Sequence, residues 1–158
     1  MRIKTLLLGS VLISSMNLSA GPIEMAHKAG FVGCDTAINT ELSHYMKSDN
    51  GRVNIEYDDV KMKNKVISFL VTYGRSGDTV LEKATFINNG GSCQAYMFGQ
   101  IVTQKSCIQY KEENPVWSYI EAQGDNIWVK NPGGVIAILK NAPVDGCIVS
   151  FNRSGSSY

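Results

Sequence analysis

The spacing of apolar residues changes once along the chain, from a helical period to a strand period. Within residues 35–47, apolar side chains recur at steps of three and four, and Asp35 stands at the start, where helices are often capped. This spacing predicts one amphipathic helix over 35–47, and the pair Asn50-Gly51 is typical of a helix end. In residues 52–57 the period becomes two, which is typical of a half-buried strand.

Seven further apolar runs with strand-like composition follow, separated by turns rich in glycine, asparagine and proline. They lie at 66–73, 79–87, 93–103, 117–122, 126–130, 135–139 and 147–151. The run at 93–103 is either one strand or a hairpin bent near Gly99. Their connections are too short for parallel crossovers, so neighbouring strands are expected to be antiparallel. The predicted fold class is α+β: one N-terminal amphipathic helix packed on the concave face of a curved antiparallel β-meander of about seven strands. No long repeat is visible, and the tail at 153–158 is expected to fray.

The first 20 residues have the layout of a secretory signal peptide. Two basic residues precede an apolar run at about 6–13, and small residues lead to Ala20, the predicted cleavage site. The apolar run is shorter than the roughly 20 residues that a membrane-spanning helix needs. We therefore predict that 1–20 is a signal peptide and that 21–158 is a single globular domain. This domain is expected in the periplasm or secreted, with no membrane insertion after cleavage.

Four cysteines follow the predicted cleavage site: Cys34, Cys93, Cys107 and Cys147. An even number of cysteines in an exported chain indicates two disulfides, for which three pairings are possible. The pairing Cys93–Cys107 closes a short local loop and is favoured, which leaves Cys34–Cys147 to join the first element to the last. A zinc site is disfavoured because the chain has no Cys-x-x-Cys pair. The domain is therefore expected to be stapled by disulfides and to bind no metal.

Net charge argues against nucleic acid as a partner. The full chain carries 15 basic and 14 acidic residues. Two of the basic residues, Arg2 and Lys4, belong to the predicted signal peptide, so the mature domain is left with a charge near −1. Neither the basic field that nucleic-acid binding needs nor a polybasic membrane patch is present.

Few residues indicate catalysis. The chain has two histidines, His27 and His44, and neither belongs to a recognised nucleophile or zinc-protease motif. The paired carboxylates at 58–59 and 112–113 point to opposite sides of a strand and are expected to be solvated turn residues. The sequence therefore predicts a protein that is not an enzyme, with no catalytic residues and no cofactor.

Aromatic and charged residues are interleaved in the segment 110–117, which is predicted to be a loop after Cys107. Tyrosine and tryptophan often anchor protein interfaces, and a loop that is stiffened at its base loses less entropy on binding. The candidate binding residues are Tyr110, Lys111, Glu112, Glu113 and Trp117. The alternative is that Trp117 begins a strand and enters the core, covered by Tyr110.

Residues 100–104 (QIVTQ) and 115–117 (PVW) resemble the Gln-x-Val-x-Gly hairpin and the Pro-Trp loop of the cystatin protease inhibitors. A helix before a meander is also similar to cystatins. In this chain, however, Gln104 stands at the glycine position and Val116 separates proline from tryptophan. The inhibitory activity of cystatins is therefore not transferred to this chain.

The absence of catalytic patterning, the expected disulfide-bridged frame and the export signal together favour a binding protein. In build the chain is similar to small periplasmic inhibitors such as lysozyme inhibitors and the immunity proteins that neutralise toxins. The predicted function is a periplasmic immunity or inhibitor protein that occludes the active site of a cell-wall-directed toxin or hydrolase. Two alternatives are a small secreted enzyme or ligand carrier that uses the concave sheet face, and a structural or adhesive envelope subunit. The expected partner is a protein, and the chain itself is a monomer or homodimer.

Overall fold

The computed structural model describes residues 20–48, 50–142 and 145–156, so the predicted signal peptide lies outside it except for Ala20. The described residues form four short helices and eight strands. In chain order these are α1 (Pro22–Lys28), α2 (Asp35–Glu41), α3 (Ser43–Met46), β1 (Arg52–Tyr57), β2 (Val66–Arg75), β3 (Asp78–Asn88), β4 (Cys93–Thr103), α4 (Cys107–Glu113), β5 (Ser118–Gln123), β6 (Asn126–Lys130), β7 (Ile136–Ala142) and β8 (Gly146–Ser156). Within the same ranges, none of the helices has the length and apolar character that crossing a bilayer requires.

The eight strands form one antiparallel sheet in the order β1-β2-β3-β4-β8-β7-β6-β5. Strands β1 to β4 form one meander, and β5 to β8 form a second. The two meanders join at the centre of the sheet, where β4 runs antiparallel to β8 and Gly99 lies opposite Phe151. The α+β class and the antiparallel sheet are confirmed. The described strands number eight, against about seven in the predicted meander, and they make two joined meanders rather than one. Four short helices are present among the described residues where one helix was predicted.

The helices that precede β1 cover the first meander and create the larger of two apolar cores. Phe69, Ala84 and Met97 are neighbours across β2, β3 and β4, and all three are buried. Ile38 and Leu42 of the helical segment are completely buried against this face. Burial of each large aliphatic or aromatic side chain stabilises the fold by about 1.5–3 kcal/mol. The core therefore holds these short helices against the sheet.

The second core lies on the same face of the sheet, beneath α4. Its buried residues include Cys107 at the start of α4, Val129 of β6, Leu139 of β7 and Val149 of β8. Val149 lies opposite Ile101 of β4, and residues directly opposite in a ladder project from the same face. All four helices therefore cover one face, and the other face of the sheet has no helix on it among the described residues.

Two disulfides are present, but the predicted pairing is wrong. Cys34, which immediately precedes α2, is bonded to Cys93, the first residue of β4, with their Cα atoms 5.5 Å apart. Cys107, the first residue of α4, is bonded to Cys147 in β8, with a Cα separation of 4.8 Å. Each bridge therefore ties the start of a helix to the fourth strand of its own meander.

The length of β4 explains why Cys93–Cys107 does not form. The strand runs extended from Cys93 to Thr103, and at about 3.3 Å per residue its two ends are roughly 30 Å apart. Cysteines whose Cα atoms are more than about 7 Å apart cannot be bridged. Cys107 follows the far end of β4, and Cys147 lies opposite Thr103 at that same end. Residues 93–107 therefore do not form the compact local loop that the prediction assumed.

The two halves of the chain repeat one plan, although their sequences show no long repeat. Each half begins with helix, continues with a four-stranded meander and has a disulfide from the helix start to the fourth strand. The fourth strands, β4 and β8, pair at the centre, so the first strands, β1 and β5, lie at the two edges. The sheet therefore has the same strand arrangement when it is read from either edge.

Two local predictions are corrected. The single helix predicted over 35–47 is interrupted at Leu42, whose backbone angles (φ −95°, ψ 15°) separate α2 from α3. The tail predicted to fray is part of β8 as far as Ser156, which lies opposite Gln94 of β4. Pairing with a central strand supplies backbone hydrogen bonds that the polar composition of the tail does not reveal.

Gly99 leaves room for an aromatic ring at the seam between the two meanders. A Cβ added at Gly99 would lie 2.4 Å from Cζ of Phe151. We expect Gly99→Ala to lower the free energy of unfolding by about 1–3 kcal/mol, because the ring must shift within a packed region. Urea denaturation measures this. Gly133→Ala is the control, since the nearest atom to its new Cβ is 3.4 Å away. An unchanged Gly99→Ala midpoint would show that the seam is not tightly packed.

Candidate functional site

The face of the sheet on which none of the described helices lies, here called the open face, displays large apolar side chains. Leu70, Tyr96, Phe98 and Ile136 are between 39% and 50% exposed, although they lie within strands. The alternation of a strand explains why they face away from the core: Tyr96 and Phe98 flank Met97, which is buried beneath the helices. Contiguous exposed apolar side chains on a folded protein are a feature of interaction sites and ligand-binding grooves.

The strand register brings these side chains together from both halves of the chain. Phe98 of β4 lies opposite Asn152 of β8, and Ser150 of β8 lies opposite Ile138 of β7. Ile138 in turn lies opposite Trp128 of β6. The open face therefore carries an apolar band across the central seam, with small polar side chains of β8 in its middle.

A cleft of about 600 Å³ opens on this face. Its walls include Tyr96 and Phe98 of β4 and Asn152 of β8, together with Gly133 and Gly134 from the turn between β6 and β7. The turn is built by Asn131, whose side-chain oxygen accepts a hydrogen bond from the N–H of Val135 at 2.9 Å. Lys83 of β3 lines the same cleft, so the cleft joins the two meanders.

Trp128 borders a neighbouring depression on the open face that also contains Phe98 and Ile138. Its indole Nε1–H is buried and has no hydrogen-bond acceptor among the described residues. A buried donor without an acceptor costs about 1–3 kcal/mol. A ligand or partner atom that accepts this hydrogen bond would recover part of that cost. A molecule that binds this apolar surface would therefore gain from carrying a hydrogen-bond acceptor opposite Trp128.

The predicted binding segment is a helix and a turn rather than a loop. Residues 110–113 belong to α4, whose start is capped by Ser106, since its Oγ accepts a hydrogen bond from the N–H of Gln109 at 3.2 Å. Tyr110 and Trp117 are half-buried against the second core, and burial raises the pKa of the Tyr110 hydroxyl. These two rings therefore contribute to packing, in the manner of the alternative that placed Trp117 in the core.

The charged residues of the same segment remain at the surface. Glu112 is exposed, and the exposed Glu113 accepts hydrogen bonds from Lys105 and, at 3.1 Å, from Gln109. The hydrogen bond from Lys105 holds the pKa of the Glu113 carboxyl below its usual value. The segment thus offers Lys111 and Glu112 to a partner, while Glu113 is engaged within the chain. Its role in binding stays a prediction.

A second candidate lies on the helix-covered face, where polar side chains surround a cavity of about 420 Å³ between the helical segment and the sheet. Its lining includes His44 of α3, Tyr73 of β2, Glu82 of β3 and Arg153 of β8. Glu82 is 6% exposed. Glu41 of α2, which is also buried, forms an ion pair with Arg153. The cluster thus brings together residues that lie more than 100 positions apart in sequence.

Burial dominates the ionisation of this cluster. It raises the pKa of the Glu82 carboxyl, although Arg153 and a hydrogen bond from Tyr73 oppose the shift. Burial beside Glu82 raises the pKa of the Tyr73 hydroxyl to about 12. Both groups are therefore harder to ionise than in water, and the charge of Glu82 is only partly compensated.

The raised pKa of Glu82 predicts a pH-dependent stability. The Glu82 carboxyl binds its proton more tightly in the folded protein than in the unfolded chain. Its contribution to the free energy of unfolding is therefore full at low pH, and it is lost as the pH rises above about 4.5 towards the folded pKa. We expect the stability of Glu82→Gln, relative to the parent, to increase over that range. Urea denaturation at several pH values measures it. Glu56→Gln, at an exposed carboxylate, is the control, and parallel profiles for Glu82→Gln and the parent would contradict the assignment.

Among the described residues, no three histidine, cysteine or carboxylate side chains are placed to hold a metal ion. His27 is engaged elsewhere, since its Nε2 lies 2.9 Å from Oδ1 of Asp35 on the surface. Asp58 accepts hydrogen bonds from the backbone of Val60 and Lys61, as a turn residue does.

No protein-family model, curated protein or solved structure matches this chain. The sequence alone predicts neither of the two candidate sites, because neither the open-face aromatics nor the Glu82 cluster is contiguous along the chain. The sequence does carry a local signal for the helix α4: the pattern Ser106-x-x-Gln109 is typical of a capped helix start.

Proposed function

We propose that this protein is an exported immunity or inhibitor protein that occludes the active site of a cell-wall-directed toxin or hydrolase. The observation that supports the proposal is the open face, with its aromatic band, its cleft and the buried Nε1–H of Trp128, for which the described part of the chain supplies no acceptor. Aromatic residues that can be fully desolvated on binding supply most of the affinity of protein interfaces. The two disulfides favour an oxidising compartment and a rigid surface.

The net charge of the open face indicates which kind of partner it would bind. The strands present four basic and two acidic side chains on the open face, as judged from the register: Arg52, Lys83, Lys130, Lys140, Glu56 and Glu121. Glu56 and Lys83 neutralise each other across a 3.0 Å ion pair. The remaining excess is positive, so two copies placed face to face would repel. Glycoside hydrolases that cleave cell-wall sugars carry paired carboxylates in their clefts, which is the complementary charge.

The direct test is inhibition. The purified chain is titrated into peptidoglycan-hydrolysing enzymes from the same cells, with turbidity loss of a cell-wall suspension as the readout. We expect stoichiometric inhibition of at least one enzyme and a 1:1 complex on size-exclusion chromatography. If no exported hydrolase or toxin is inhibited and none is retained by the immobilised chain at low salt, the proposal is wrong.

A further inference from the structure

The cavity beneath the helical segment combines a charged wall with an apolar one. His44, Tyr73, Glu82 and Arg153 supply the polar side chains, and Ile101 and Phe151 supply the apolar side. This cavity lies on the face of the sheet opposite the open face. It is therefore separate from the surface proposed to dock a protein partner, and a ligand could bind in it whether or not a protein docks on the open face.

Glu82 is the residue in this cavity whose hydrogen bonding is incomplete. Its side chain is more than nine-tenths buried, and its Oε2 atom has no hydrogen-bond partner among the described residues. A buried carboxylate oxygen without a donor is costly, because it has left water without replacement. The Tyr73 hydroxyl hydrogen-bonds to the Glu82 carboxylate. Glu82 lines the cavity, so a bound molecule could supply a further donor to Oε2 from there.

The other charges of the cluster do not meet this need. Arg153, the arginine of the cavity wall, is ion-paired with Glu41 of α2, so its charge compensates that of Glu82 only in part. The charges of Arg153 and Glu41 cancel, so the cluster carries one excess negative charge when Glu82 is ionised. A bound anion would face two carboxylates, whereas a cation with N–H donors would complete both the charge and the hydrogen bonding of Glu82.

We propose that this cavity is a binding site for a small organic cation, with an ammonium or guanidinium group donating a hydrogen bond to Oε2 of Glu82 and a short carbon chain packed on Ile101 and Phe151. The volume of about 420 Å³ lies within the range of small-molecule sites. The combination of apolar walls with one directed polar contact is also typical of such sites.

Titration of the purified chain with n-butylammonium chloride, followed by NMR chemical shifts, tests the proposal. We expect saturable shifts for residues around the cavity, and at least tenfold weaker binding in Glu82→Gln, which keeps the size of the side chain. Binding of n-butanol or sodium butyrate is expected to be at least tenfold weaker than that of n-butylammonium. Glu56→Gln, which removes an exposed carboxylate on the open face, is expected to bind like the parent.

Protons provide a second readout, because the cation and a proton compete for Glu82. The affinity for n-butylammonium is expected to fall as the pH is lowered, and this dependence is expected to vanish in Glu82→Gln. Glu41, His44, Tyr73 and Arg153 also face the cluster and remain in that variant, so a dependence that survives belongs to them and overturns the assignment to Glu82. Equal binding of n-butanol and n-butylammonium, or no saturable binding, also overturns the proposal. None of these results bears on hydrolase inhibition.

Discussion

Removing either disulfide by a double alanine replacement is expected to lower the free energy of unfolding by about 4 kcal/mol. The bridges join residues 59 and 40 positions apart, so each one restricts a long loop in the unfolded chain. All four sulfur-bearing side chains are also buried, at 2% exposure or less, and alanine would leave small cavities in their place. Urea denaturation of Cys34→Ala/Cys93→Ala and of Cys107→Ala/Cys147→Ala measures the two effects separately.

The loss of both bridges together is expected to prevent stable folding, because about 8 kcal/mol is most of the stability of an ordinary domain. A non-reducing digest of the parent chain is the accompanying control, and it is expected to give linked peptides for Cys34–Cys93 and Cys107–Cys147. A linked peptide that joins Cys93 to Cys107 would contradict the extended conformation of β4. If the variants have the same midpoint urea concentration as the parent, the fold does not need the disulfides.

Phe98→Ala and Tyr96→Ala are each expected to weaken binding to the hydrolase or toxin partner by roughly 30-fold, which corresponds to about 2 kcal/mol. Both rings are already 39–50% exposed in the free protein, so their removal should leave the fold intact. The measurement is the dissociation constant of the complex by calorimetry. Far-ultraviolet circular dichroism of each variant confirms that the sheet is retained.

The matched controls are Lys111→Ala and Glu112→Ala on α4, which are expected to change the affinity less than threefold. These residues belong to the segment 110–117, which the sequence predicts to be the binding surface. The comparison therefore discriminates between the two surfaces of the domain. If the α4 variants lose affinity and the Phe98 and Tyr96 variants do not, the partner docks at 110–117 and the open face has another role.

Most of the strands could be predicted from local pattern, because each is long enough to show a period of two. The predicted run at 93–103 coincides with β4, and that at 126–130 coincides with β6. The helix predicted over 35–47 is correct in type, although Leu42 divides it. The helix α4 is not predicted by apolar periodicity, because its few apolar residues make no stripe.

Neither candidate site could be predicted from the local sequence pattern. Period-two alternation places Tyr96 and Phe98 on the same side of β4, but it does not say which strand lies beside them. That neighbour is β8, some 50 residues later in the chain, and it supplies Asn152. The Glu82 cluster depends on the same pairing, since Arg153 lies in the tail that was expected to fray.

The sequence by itself determined the secondary structure of the sheet, the even cysteine count and the low net charge. These follow from side-chain polarity and spacing within a few residues of each other. Only the tertiary structure decided the partners of the four cysteines, the pairing of β4 with β8 and the face left without helices. Those features depend on which distant segments bury each other's apolar surface, and many pairings satisfy the same local pattern. The open face and the cavity at Glu82 exist because the two meanders join at their fourth strands.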